Sequence, residues 1–257
     1  MNSPDLSRAR WTPVAGRSTV AAVAMAALAV ALTGCQPSGA ASEPEDTAGA
    51  SAPASDEGGG ARIATVVGEE IDVFAEPGAE EPEHTLASPN DAGADRVFLV
   101  EEEAGDWLRV LLPVRPNGST GWVRDADVEL SSTDLRVEVD LAELTFAVYE
   151  GGDELRSGPV GTGVEENPTP PGRYFVTELV ETPDPGGAYG PYAFGLSGFS
   201  PTLETFAGGP GQMAIHGTDD EGALGTRVSH GCIRVGNDDI TWMTELLPLG
   251  TPVEVRD

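Results

Sequence analysis

Apolar positions along this chain form unequal blocks, and each block predicts a different kind of structure. From Val20 to Leu32 they are continuous and preceded by Arg8, Arg10 and Arg17, whereas from Gln36 to Gly60 they all but vanish into Pro, Ala, Ser, Gly and acid. The first block is short of the ~20 residues of a membrane-spanning helix and reads as a signal peptide. The second cannot build a core and reads as a disordered tether. Short β-rich pieces then recur over 61–130, at Ile63 to Val67, Ile71 to Phe74, Val97 to Glu101, Trp107 to Leu112 and Gly121 to Val123, with Pro, Gly, Asn and Asp between them. Such spacing predicts a small barrel or sandwich. Over 133–257 strict alternation takes over, with Leu135, Val137, Val139 and Leu141 on one face and Leu144, Phe146 and Val148 following. These are strands with one buried side each, and Gly151-Gly152 reads as the turn of their hairpin. Further strands are expected at Arg173 to Val180 and Pro252 to Arg256. One helix is predicted, with Ile240, Met243, Leu246 and Leu247 on one face, Asn237 as its cap and Pro248 as its stop. The chain is therefore expected to be mainly β with one short helix.

Charge narrows the partners. Acidic residues outnumber basic ones 43 to 14, for a net charge of −29, and there is no lysine. A surface this acidic repels phosphate backbones, which argues against nucleic acid as a partner. Runs such as Glu80-Glu81 and Glu101-Glu102-Glu103 read as solvated faces, and His84, among acids and turn residues, as an exposed loop histidine. The two cysteines are separated in role. Leu32-Thr33-Gly34-Cys35, closing the apolar block, resembles the lipobox of bacterial lipoproteins, which implies a signal peptide over 1–34, a lipid on Cys35 and a tether over 35–60. The protein is then expected outside the cytoplasm, held on the cell membrane by its lipid and facing the cell wall. Cys232 is left with no disulfide partner.

That lone thiol sits in Ser229-His230-Gly231-Cys232-Ile233-Arg234, an active-site loop by its polar and glycine content. A second histidine, His216, closes the apolar run Met213, Ala214, Ile215 and precedes Gly217, as a strand ending at a site edge would. A free thiol is only roughly 3% thiolate at pH 7, and a histidine partner raises that fraction. The order Ile215-His216-Gly217-Thr218, with eleven residues between Gly217 and Ser229, and then Ser229 to Arg234 resembles the signature of the L,D-transpeptidase (YkuD-type) catalytic domain, with Thr169-Pro170-Pro171-Gly172 as a matching upstream turn. The likeness covers about Leu135 to Val255. Upstream, Gly105-Asp106-Trp107-Leu108-Arg109-Val110 followed by Gly121-Trp122-Val123 resembles the end of bacterial Src-homology-3-like domains.

Together the resemblances imply a small Src-homology-3-like barrel over 61–130, then a β-sandwich catalytic domain over 133–257 with its helix after the cysteine. They imply a cell-wall enzyme without cofactor or metal that acts on peptidoglycan stem peptides and is sensitive to carbapenems. Cys232 would be the nucleophile and His216 the base, its ring oriented by the Gly217 carbonyl. Gly231 and Cys232 would supply oxyanion N–H groups, Ser229 and His230 would shape the loop, and Arg234 would bind substrate. Thr218, Tyr189 and Tyr192 are further substrate-side candidates, although packing explains the aromatics of the Pro183 to Phe199 region equally well. A monomer is expected. Hydrolysis of the same thioester by an L,D-carboxypeptidase and a non-enzymatic wall-binding lipoprotein are the competing readings, and a zinc site from His216, His230 and Cys232 is disfavoured by irregular spacing. The barrel offers no nucleophile, so the chain from Ser131 onward is expected to keep the chemistry.

Metabolic labelling with a fatty acid should mark the protein, and Cys35→Ala should abolish the label. Label retained in that variant would remove the anchor.

Overall fold

The computed structural model describes residues 60–206 and 208–257. The signal peptide, Cys35 and nearly all of the tether lie outside the described residues. The first part is built from β1 (Ala61–Val66), β2 (Glu70–Val73), β3 (His84–Ala87), β4 (Val97–Ala104), β5 (Trp107–Leu111), β6 (Thr120–Arg124) and β7 (Val128–Thr133). Five of them form an antiparallel sheet in the order β6-β5-β4-β1-β7, and β2 and β3 pair as a hairpin. Ile63, Ile71, Val73, Phe98, Leu99, Leu108, Val110 and Val123 fill its core. Trp107 stands edge-on to Phe74 with ring centroids 5.2 Å apart, and the Arg124 guanidinium lies over both rings. Both tryptophans stay half-buried.

Two strands here escape a reading by apolar alternation. β3 begins at His84, which is half-buried and pairs with Val73 rather than standing in a free loop. β7 buries only Val128 and is otherwise open, so its pairing with β1 over six registers leaves no hydrophobic trace.

The second part comprises β8 (Leu135–Asp140), β9 (Thr145–Glu150), β10 (Asp153–Pro159), β11 (Thr162–Gly163), β12 (Gly172–Glu181), β13 (Tyr192–Phe199), β14 (Gln212–His216), β15 (Arg227–Ser229), β16 (Ile233–Arg234), α1 (Asn237–Thr244) and β17 (Pro252–Arg256). Eight strands make one sheet in the order β10-β9-β8-β17-β12-β13-β14-β16. The alternation of β8 places Leu135, Val137 and Val139 inward, against Phe146, Val148, Phe194, Leu196, Met213 and Ile215. Ile240 and Met243 bring α1 onto the same core. The helix is shorter than predicted and ends at Thr244, and its cap is Gly236, with no side-chain capping bond. Asn237 does not cap it, because its amide is bonded elsewhere.

The two cores meet at two side chains of the second part. Phe175 belongs to β12 yet is fully buried in the core of the first part, and Leu249 packs against both cores. Asn90, from the loop before β4, donates to Glu178 Oε2 at 3.0 Å and to the Thr177 carbonyl at 3.2 Å. A chain from Ser131 onward would lose these contacts.

Phe175→Ala should cost about 3–5 kcal/mol of stability, the range for truncating a buried phenylalanine. Urea unfolding followed by tryptophan fluorescence should show the loss in one transition; two separate transitions in the native protein would mean that the cores do not cooperate. A chain truncated at Ser131 uncovers Phe175 and is expected to aggregate.

Candidate active site

Alternation along β14 decides which side chains do chemistry. Met213 and Ile215 enter the core, so Ala214 and His216 take the other face, and in β16 Ile233 is buried while Cys232 and Arg234 flank it. β14 and β16 run parallel with Ile215 opposite Ile233 and His216 opposite Arg234. This register brings the thiol, the imidazole and the guanidinium to one face of the sheet edge. On its other side Arg234 exchanges two backbone hydrogen bonds with Gly161, at 2.8 and 2.9 Å, which fixes the short strand between two neighbours.

His216 is buried, and its Nδ1 lies 2.6 Å from the Gly217 carbonyl. A carbonyl only accepts, so the neutral ring carries its proton on Nδ1 and leaves the Nε2 lone pair free. Burial lowers the pKa to about 4; the Gly217 carbonyl opposes that shift and the Arg234 charge adds to it. Burial likewise pushes the Cys232 thiol up, against the Ala214 backbone and Arg234, which pull it down. The resting pair is therefore neutral thiol and neutral imidazole, and no hydrogen bond joins His216 to Cys232 among the described residues. Arg234 has no carboxylate partner among the described residues, and its buried Nε has no hydrogen bond.

The loop before the cysteine is held from inside. Ser229 donates its hydroxyl to the Cys232 carbonyl at 2.5 Å and accepts the Gly231 N–H at 3.1 Å. The Gly231 N–H is thus spent within the loop and does not serve as an oxyanion donor, a correction to the sequence reading. The Cys232 N–H has no partner among the described residues. Gly231 has φ of +119°, a conformation that a side chain would strain, and its carbonyl accepts from Thr169 Oγ1 at 3.0 Å. Thr169 in turn accepts the Gly163 N–H at 2.9 Å. Its place in the Thr-Pro-Pro-Gly turn was the one hint of this brace.

Several other candidates change role. Thr218 is buried; its N–H and carbonyl bind the Asn237 amide at 2.9 and 2.8 Å, and its hydroxyl accepts from the Asp220 N–H, so the residue braces the turn after His216. Asn237 is a clamp on the turn after His216. Gly217 is pressed against Gly190, where a methyl on Gly190 would come within 2.6 Å of the Gly217 backbone. That contact sets Tyr189 over the His216 ring, centroids 4.7 Å apart. Tyr189 is exposed at the site, whereas Tyr192 packs against the core and is not presented to it. His230 is exposed, and Phe206 stacks on it at 5.3 Å.

Residues 134–255 match the L,D-transpeptidase catalytic domain family (YkuD). Among curated relatives, a putative L,D-transpeptidase YkuD of Bacillus licheniformis is 30% identical over 47% of this chain and 64% of its own length. A probable L,D-transpeptidase ErfK/SrfK of Salmonella typhimurium is 28% identical over 75% of this chain and 65% of its own. The chain thus spans just under two thirds of these relatives. A crystal structure of an L,D-transpeptidase from Mycobacterium tuberculosis aligns with 63% of this chain and 90% of its own, at 20% identity and a TM-score of 0.42.

The pKa of His216 has a direction that stability measurements can read. Its folded value lies below the ordinary 6.5, so the unfolded chain binds the extra proton between about pH 6.5 and 4. Stability is then full above pH 6.5 and falls as the pH drops toward 4, by on the order of 3 kcal/mol. His216→Gln should flatten that slope in urea unfolding run at pH 4.5, 5.5 and 7. An unchanged slope would mean that the buried imidazole is not its source.

Proposed function

We propose that the protein is a peptidoglycan L,D-transpeptidase that cross-links stem peptides through a thioester on Cys232. What carries the reading is the parallel register of β14 and β16, which sets Cys232, the free Nε2 of His216 and the unpaired Arg234 together within the residues that match that family. Cys232 Sγ attacks the carbonyl of the third stem residue while its proton passes to His216 Nε2. The Cys232 N–H faces the developing oxyanion. As the bond to the terminal D-alanine breaks, its amine takes the proton from His216 and leaves the thioester. An amine of a neighbouring stem then attacks, gives its proton to His216 and releases the thiol.

Arg234 links binding to chemistry in this reading. Its charge depresses His216 in the empty site, so a stem-peptide carboxylate that pairs with the guanidinium makes the imidazole a better base as the donor arrives. A lipid on Cys35 places the enzyme outside the cytoplasm on the membrane, with its first part a Src-homology-3-like module facing the wall. Carbapenems are expected to acylate the same thiol.

Purified stem peptides followed by mass spectrometry separate the roles. Cys232→Ser should fall to background, because no thioester forms. His216→Ala should lose turnover while a carbapenem still acylates slowly, faster as the pH rises. Arg234→Ala should chiefly raise KM. Full cross-linking by Cys232→Ser would sink the mechanism, activity kept in His216→Ala but lost in His230→Ala would move the base, and shortened product alone would make the enzyme a hydrolase.

A further inference from the structure

The described residues between β13 and β14, 200–206 and 208–211, lie against the loop that carries the cysteine. Ser200 sits beside Gly231, Thr202 donates to Asn167 Oδ1 at 2.9 Å, and Phe206 covers the ring of His230. Within the second part it is tied by Asn167 and by the Ser200 N–H to the Gly211 carbonyl at 2.8 Å, and its other side-chain anchors come from the first part.

Arg115, in the turn between β5 and β6, donates Nη1 to the Ser200 carbonyl at 2.7 Å and Nη2 to the carbonyls of Leu203 and Pro210, both at 2.9 Å. One planar guanidinium therefore joins both stems of the segment, a task that a lysine ammonium does not reproduce. Its plane also lies over the Phe199 ring, 4.9 Å from the centroid. Two residues on, Asn117 donates to the Phe199 carbonyl and accepts the Phe199 N–H, each at 2.8 Å, as a further strand would. The turn at the second stem needs a glycine: Gly211 has φ of +71°, and any side chain there would strike the Leu203 carbonyl. A parallel tie reaches the strand of the base, since the buried Glu178 accepts from Asn90 of the first part at 3.0 Å and from Gln212, the first residue of β14, at 2.9 Å.

We propose that Arg115 and Asn117 are positioning residues of the acyl-donor cleft: by fixing the two stems at residues 199–203 and 210–211 to the N-terminal part, they keep Phe206 on His230 as a wall beside the Cys232 loop and set how large an acyl donor reaches the thiol. The inference rests on the reading of Cys232 as the nucleophile. It gives the first part a role at the site itself, through contacts 82 to 95 residues apart in sequence.

The test compares thiol reagents of two sizes on the full chain, with modification at Cys232 read by peptide mass spectrometry. In Arg115→Ala the rate with iodoacetamide should stay within about twofold of the native rate, while that with a bulky fluorescein maleimide rises about tenfold; Asn117→Ala should do the same more weakly, and Arg115→Lys should restore the native ratio only in part. With a stem tetrapeptide as donor, Arg115→Ala should raise KM about tenfold and leave kcat within about threefold. A native ratio of the two reagent rates in folded Arg115→Ala and Asn117→Ala overturns the proposal, and so does a parallel rise of both rates, which would show loosening without size selection. If the native protein shows the size effect but never turns over stem peptides, the transpeptidase reading fails while the wall beside the Cys232 loop stands.

Discussion

The site depends on one pairing, the two-residue parallel ladder of β16 on β14. A strand of Ile233 and Arg234 has too few hydrogen bonds to hold its own register, and a slip by one residue would turn Cys232 and Arg234 into the core and Ile233 out of it. Everything nearby guards against that slip. Gly161 pairs the far edge, Ile233 is locked in the core with Val235, and Ser229, Thr169 and Gly231 fix the loop that delivers the cysteine. The loop consumes several of its own polar groups to do so, and among the described residues the N–H of Cys232 has no partner.

Electrostatics around that ladder favour a site at rest. Burial makes both charged forms costly, so the thiol and imidazole face each other neutral, and the one fixed charge near them is Arg234. A thiol in this state resists oxidation, because the reactive thiolate is scarce. The acidity of the rest of the chain leaves the guanidinium without a partner in the described structure, although acids outnumber bases threefold.

The sequence was most readable where burial and period coincide. β8 and β9 follow the alternation of Leu135 to Val148, and Met213, Ile215 and Ile233 point inward as their apolar character requires. His216, Cys232 and Arg234 stood out because a polar side chain follows such runs directly. β3 and β7 were hidden because one face of each is open and the other offers little apolar area. Asn237, Thr218 and Gly231 were misread for a common reason: each is chemically suited to two jobs, and the choice between capping, substrate binding or oxyanion binding and bracing is made by a partner distant in sequence. Arg115, Asn117 and Phe206 gave no signal at all, since their contacts exist only once the two parts are docked.

The position of β17 within the large sheet constrains how the protein is made. In chain order it comes after every other strand of that sheet, yet in space it lies between β8 and β12, parallel to the first and antiparallel to the second. Until residues 252–256 are in place, β8 and β12 have no strand between them to carry the ladder across the gap, and Val137 and Tyr174 lack the Val253 that pairs with both. Loop-closure entropy for the β8 to β17 pairing is met only at that last step. A chain that emerges gradually from its N-terminus therefore cannot assemble the cysteine site piecemeal, and the site is complete only when nearly all of the large sheet has arrived.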